Sequence, residues 1–430
     1  MRDRELRVIL LGALRPVPDF SRLSVLRHSR GSQLRNLLRW LDQSGLALYL
    51  LTQLRDYGAL GAVPEEFRRA LEYRSKANRE RTRAMAAEFE RLVQSFHRDG
   101  VQFCALKGLT LTPEFCRSAD LRHQTDFDFL VAAGSLEKAK QTVRSCGYEQ
   151  QATPEADEVT FATPLLHIPS PNDDIYAIPR HREVDLLTTL RHNAHEVSID
   201  APMGSFDRVE NKTLHGLSFP ALPTEEMFCL QVMHAFKHLL GSWVRVSWLF
   251  EIGYFIDRHY SDPNLWSAVS ERMGIHTKGR NAFGLVILLT KALFPRRIPQ
   301  VLDDWCLRSL PPRIEAWVTQ FGLKTAISDL DGAKWTLFVH REFVDHPNSW
   351  SSYVRDRIFP VGRRSSIGTV QTADLGTRIR ARVSQLLHTM HRAIFHAGTL
   401  FSLPLDAIRW RYAQRSLERQ RVLVSPALIR

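Results

Sequence analysis

Cysteine is sparse. The chain of 430 residues holds five, Cys104, Cys116, Cys146, Cys229 and Cys306, and no two stand in a Cys-x-x-Cys spacing. That scatter speaks against a disulfide framework or a structural zinc site and reads as a reduced, cytoplasmic chain. Long apolar runs are missing too. None approaches the ~20 residues a spanning helix needs, so no integral membrane association is expected. The first apolar stretch, Val8 to Leu14, is at the minimum length for a signal sequence, and Arg15-Pro16 follows it without a small-residue cleavage site. Lysine is scarce beside arginine, within a net charge of +12. A balance this basic favours a polyanionic partner (RNA, DNA, nucleotides or an anionic membrane surface) without choosing among them.

What is present is ordinary globular composition, 44% hydrophobic and 24% charged, with length enough for two or three domains. Residues 1–99 read as a helical region: Leu34, Leu37, Leu38 and Leu41 recur at helix spacing, and Pro64-Glu65-Glu66 opens a long helix to about His97. Dense charge along it, including Arg68, Arg74 and Arg81, predicts a solvated face. The pattern changes at Gly100. A short apolar strand, Val101 to Leu106, ends at Lys107-Gly108, and a second covers Asp126 to Val131. A helix from Ser135 to Cys146 stops at Gly147. Strands near 159–168 and 175–187 flank the turn-forming Ser170 to Asp174. Residues 223–361 read as a helical domain, with helices near 224–240, 243–259, 263–273, 278–294 and 312–321.

The extension 362–430 differs. It opens on the linker-like Gly362 to Gly368, and from Arg363 to Arg430 it carries twelve arginines, no lysine, and only Asp374, Asp406 and Glu418 as acids. Arg378, Arg382 and Arg392 fall among Leu386, Leu387 and Ile394. Such a basic amphipathic helix suits nucleic acid, a membrane surface, or a packed helix with a solvated basic face. The fold class expected is α+β, a small mixed-sheet core at 100–222 between an N-terminal helical cap and a C-terminal helical region.

The chemistry gathers in the core. Successive strand side chains point to opposite faces, so Asp126 and Asp128 share one face while Phe127, Phe129 and Val131 share the other. Adjacent carboxylates repel unless a cation lies between them, and Mg2+ (or Mn2+) suits hard oxygen ligands combined with substrate phosphates. Upstream, Gly108 permits close approach of backbone N–H groups to a phosphate, with Lys107 or Thr110 in reach of its oxygens. Arg122, four residues before Asp126, can neutralise a triphosphate or pair with the aspartates. Glu183-Val184-Asp185 offers a third carboxylate, from either acid, to hold a second metal and take the acceptor's proton. Each residue also has a plain structural reading: Lys107 as a salt-bridge partner, Arg122 as a loop cap, Asp185 as the end of a strand. His234 and His238, one helical turn apart, share a face. No Glu follows His234 and no third ligand is evident, so they are read as supporting the site rather than binding zinc.

Leu106-Lys107-Gly108, Arg122, Asp126-Phe127-Asp128-Phe129-Leu130-Val131, Gly147-Tyr148 and Val184-Asp185-Leu186 together resemble the uncharacterised nucleotidyltransferase family of the DNA polymerase β-type superfamily. His234, His238, Trp243, Arg245 and Trp248 are similar to that family's helical segment. The resemblance implies an NTP substrate such as ATP, with Asp126, Asp128 and Asp185 as metal-binding catalytic residues. The activity it implies is transfer of a nucleoside monophosphate to an acceptor hydroxyl with release of pyrophosphate. The chain departs from the family at Leu187, where a histidine is usual, and at Glu251, where an aspartate is common. It also lacks the Gly-Ser turn of the wider superfamily, and Lys107-Gly108 stands in its place. The acceptor stays open among RNA, protein, a sugar and a small metabolite, and the basic tail leans towards RNA. The alternative is a catalytically inactive protein of this fold that binds nucleic acid or a protein partner through its basic surface.

Overall fold

A computed structural model describes residues 2–151, 158–164, 174–178, 182–190, 197, 199, 206–214, 216–241, 244–274, 276–328, 334–344, 347–358 and 375–424. The strands are β1 Phe103–Leu106, β2 Asp126–Val131, β3 Glu149–Gln150, β4 Glu158–Ala162, β5 Glu183–Leu187, β6 Glu210–Leu214 and β7 Leu217–Ala221. They form one sheet in the order β3-β4-β5-β2-β1-β7-β6. At its centre β2 runs antiparallel to β1 and parallel to β5. Ahead of the sheet stand α1 Asp3–Gly12, α2 Gly31–Ser44, α3 Ala47–Asp56 and the long α4 Glu65–Arg98. Helix α5, Leu136–Ser145, follows β2, and α6 Thr224–Leu240, α7 Val246–Arg258, α8 Pro263–Met273 and α9 Thr277–Leu293 follow β7. The class is α+β, as the sequence pattern predicts.

Strand alternation decides what each face of β2 meets. Phe127, Phe129 and Val131 pack under α4 and α5, where the Phe129 ring lies 5.9 Å from that of Phe89 and 5.1 Å from that of Phe96. The opposite face, with Cys104, Leu106 and Leu130, joins a second core. That core runs from Leu6 of α1 and Trp40 of α2 to Phe228 of α6 and Phe283 of α9. Helices from both ends of the chain therefore share one apolar interior on the aspartate side of the sheet. The apolar stretch after Arg7 belongs to it: α1 buries Leu6, Leu10 and Leu11, and Arg7 donates to the Ile327 carbonyl at 2.6 Å.

Some local expectations change. Arg81 is buried, donating to the carbonyls of Gln124 at 3.1 Å, Ile175 at 3.0 Å and Ala177 at 2.8 Å. Arg74 forks onto both oxygens of Asp42 at 2.7 Å. The middle of α4 passes beneath the loop that leads into β2, so Arg81 ties that loop to residues 175–177, and Arg74 ties α4 to α2 instead of meeting solvent. The β6–β7 hairpin carries no apolar alternation in Glu210-Asn211-Lys212-Thr213 and has Pro220 within a strand, which hides it from pattern reading. β4 and β5 pair antiparallel, as a hairpin requires. Residues 170–173 of the anticipated turn, the linker 362–368 and Trp243 lie outside the described residues. Among the described residues no helix is long and apolar enough to cross a membrane.

Candidate active site

The register of the central strands builds the site. Asp126 lies opposite Glu183 and Asp128 opposite Asp185 on the parallel neighbour. Oxygens from Asp126, Asp128 and Asp185 all lie within 4.8 Å of one another. Glu183 is exposed and stands outside that cluster. Of the two acids offered by β5, Asp185 is therefore the one brought to the pair. Thr160, its cross-strand partner on β4, donates to Asp185 Oδ1 at 2.7 Å and fixes that side chain.

Three carboxylates in a half-buried space leave a charge problem. Burial, then the charge of Asp128, pushes the Asp185 carboxyl up to about 7. Burial also raises Asp128, with Asp126 adding to it and Lys107 opposing. The Lys107 ammonium sits 3.0 Å from Asp128 Oδ1. Burial disfavours its charge, yet Asp128 and Asp126 overcome that and hold Lys107 above the ordinary lysine range. β1 delivers this lysine: Leu106 pairs with Asp128, so the next residue emerges beside the carboxylates.

The chain then turns sharply. Lys107 has φ 44° and Gly108 φ 55°, two left-handed residues in succession. For a lysine this backbone is costly, and such strain collects where a side chain must be aimed. At Gly108 a Cβ would stand 3.2 Å from Gln124 Oε1. Thr110 is buried, and its hydroxyl caps the turn by donating to the Lys107 carbonyl at 2.8 Å.

Arg122 holds the turn from behind. Its guanidinium donates to the Gly108 carbonyl at 3.0 Å and lies 3.0 Å from Glu251 Oε1 on α7. Burial works against its charge, but Glu251 more than compensates and raises it well above the usual arginine value. Tyr49 of α3 donates to the same Glu251 oxygen at 2.8 Å. Here Arg122 is engaged by protein groups, and its contact with the Lys107-Gly108 turn runs through the Gly108 carbonyl.

A family model described as an uncharacterised nucleotidyltransferase matches residues 31–295. The chain belongs to this family. No curated protein matches it. The matched span runs from α2 to α9 and includes the carboxylate cluster, the Lys107-Gly108 turn and the Arg122–Glu251 pair.

Beside this cluster the two α6 histidines form an aromatic group with Trp248. The His234 ring lies 4.5 Å from those of His238 and Trp248, and His238 lies 4.8 Å from Trp248. Burial and then the Lys107 charge hold His234 well below the usual histidine range, which places a neutral ring within the lysine's field. Sequence reasoning missed Tyr49, Thr160 and Gln124. Gln124 is buried, and neither atom of its amide has a hydrogen-bond partner. Its spacing from Asp126, two residues, is the only trace of it in the sequence.

Proposed function

We propose that this nucleotidyltransferase moves a nucleoside monophosphate from an NTP to an acceptor hydroxyl, with release of pyrophosphate. The observation that carries this reading is the cluster of Asp126, Asp128 and Asp185. The donor set fits Mg2+ or Mn2+: three hard carboxylate oxygens, with no cysteine or histidine among them. Asp126 and Asp128 would hold the ion that meets the triphosphate, and Asp185 the second. When bound, the cation supplies charge neutralisation at the phosphates and favours the ionised acceptor oxygen.

The chain's own residues do the rest. The acceptor oxygen bonds to the α-phosphorus as the bond to the bridging oxygen breaks, and the pyrophosphate carries away the electron pair. Asp185, set beside Asp128 by the parallel register of β5 and β2, takes the hydroxyl proton. Lys107 exchanges its contact with Asp128 for a phosphate oxygen, and the Gly108 turn gives the phosphates access to backbone N–H groups. The orphaned Gln124 amide beside that turn is a further hydrogen-bonding group for substrate. Much of the rate enhancement comes from positioning and charge.

One observation favours an inactive protein of the same fold: the Lys107 ammonium already answers Asp128. A single ammonium against three carboxylates still leaves charge for a divalent cation. Incubation with each labelled NTP, Mg2+ or Mn2+, and total cell RNA or lysate separates the readings. Label transfer or pyrophosphate release that Asp126→Ala/Asp128→Ala loses supports transfer. Equal signal from both proteins, or NTP-independent RNA binding alone, overturns it.

A further inference from the structure

The last helix, Leu375–Val424, keeps one face fastened to the protein and leaves another bare. Trp410 is buried, with its ring 5.9 Å from that of Phe321 and 6.0 Å from that of Phe338. Trp335 Nε1 donates to Asp406 at 2.8 Å. Those contacts fix which way the helix faces. On the side away from Trp410, Leu405, Ile408 and Tyr412 are 58%, 64% and 78% exposed.

The bare side continues through the preceding turns. Ile379, Val383, Leu386, Met390 and Ile394 are each at least 50% exposed. Val383, Ile394 and Leu405 recur at intervals of eleven residues, as do Ile379 and Met390, and the same step carries Leu386 through Ala397 to Ile408. At 1.5 Å per residue the stripe from Ile379 to Tyr412 is about 50 Å long. Single exposed apolar residues need no explanation, but a continuous stripe of this length marks a contact surface.

The occupant follows from charge and from the stripe. Arg382 and Arg411 each precede a stripe residue by one position, which sets them about 100° to one side; Arg409 follows Ile408 and lies on the other. All three are exposed, as is Arg415. Across residues 375–424 the only acids are Asp406 and Glu418, and Asp406 is already engaged by Trp335. A second copy of the helix would set arginine against arginine, without the opposite charges that flank a helix–helix seam. RNA would answer the arginines and leave the stripe in water. A lipid surface with anionic headgroups answers both. The stripe enters the acyl boundary, the arginines meet the headgroups, and Tyr412 sits at the level where aromatic rings with a polar tip collect. We propose that this helix docks the nucleotidyltransferase onto an anionic lipid surface, lying in its plane.

Co-sedimentation of the full-length protein tests this, with vesicles of phosphatidylcholine and with the same vesicles containing phosphatidylglycerol. The wild type is expected to pellet with the anionic vesicles only, and less as salt rises. Leu386→Glu and Ile394→Glu stand on the exposed face, so helicity and transfer activity should persist while vesicle binding falls about tenfold for each. Arg382→Glu/Arg411→Glu should remove the preference for anionic vesicles. Failure of the wild type to pellet, or pelleting unchanged in Leu386→Glu/Ile394→Glu, overturns the proposal. So does a wild-type dimer that these variants dissociate without any vesicle binding, or RNA retention that they abolish in its place.

Discussion

Asp128 on β2 and Asp185 on β5 are direct neighbours in parallel register, and their oxygens stand with that of Asp126 inside a 4.8 Å cluster. A parallel pair of strands brings the two carboxylates side by side without any turn between them. The arrangement is unfavourable by itself, because like charges at this range cannot all be ionised cheaply. A divalent cation among the three carboxylates would make it favourable, and that reversal is measurable.

Thermal unfolding in EDTA and in Mg2+ or Mn2+ should show it. An ion that binds only the folded state at a hundred times its Kd stabilises by about 2.7 kcal/mol. The wild type should rise in Tm with added cation. Asp185→Asn should unfold no earlier than wild type in EDTA near pH 8, since it removes a carboxylate repelled by Asp128 and Asp126 and leaves the Lys107–Asp128 pair intact, and should respond little to the ion. A Tm indifferent to cation in wild type would count against the metal site, whatever the enzyme assay gave.

Proton linkage gives a second check. The folded-state carboxyl of Asp185 titrates at about 7, above its ordinary 3.8, with burial the first cause and Asp128 the second. A carboxyl raised on folding contributes stability that is full below the unfolded value and is lost as pH rises through the folded one. Metal-free protein should therefore lose this contribution between about pH 4 and 7. Cation binding requires the ionised form and should tighten over the upper part of that window. The Mg2+-induced Tm increment should grow from about pH 6 to 8, and Asp185→Asn should flatten the profile. An increment independent of pH in wild type would exclude Asp185 as a titrating ligand.

These carboxylates were unequally legible in the sequence. Asp126 and Asp128 declare themselves, because strand alternation alone puts them on one face opposite Phe127 and Phe129. The choice between Glu183 and Asp185 depends on register: both point the same way along β5, and only pairing with β2 decides which meets Asp128. Arg122 shows a harder limit. Its charge and position suggest phosphate, yet it meets Glu251 on a distant helix, joined by Tyr49, which lies 202 residues from Glu251 in sequence. Contacts of that range leave no local period to read. Arg81 misleads for the same reason, sitting in a charged run while its partners are carbonyls of loops that precede β2 and β5.

The turn after β1 makes a prediction about backbone alone. Gly108→Ala keeps charge and polarity but forces a side chain into φ 55° with a contact of 3.2 Å to Gln124. Left-handed backbone costs a non-glycine residue about 1–2 kcal/mol. Denaturant midpoints should fall accordingly, and pyrophosphate release should fall with the displaced turn. Gly134→Ala is the matched control, with open space around its Cβ, and should stay within about 0.5 kcal/mol of wild type.

The Arg122–Glu251 pair predicts a coupling that a mere surface contact would not give. Their side chains are 11% and 4% exposed, so removing one leaves the other without its main counter-charge in a place water hardly reaches. Arg122→Met should destabilise by about 3 kcal/mol, the lower end for a broken buried pair, because Arg245 also acts on Glu251. It also withdraws the donor from the Gly108 carbonyl, so KM for the NTP should rise as the turn loosens. Glu251→Leu strands the arginine and should cost a similar amount. The double variant carries no stranded charge and should be markedly less destabilised than the sum. Urea midpoints of the four proteins give the coupling energy directly. Single effects that add to within about 0.5 kcal/mol would mean the two groups act independently. In that event the Gly108 turn would owe its position to strand β1 and the Thr110 cap alone.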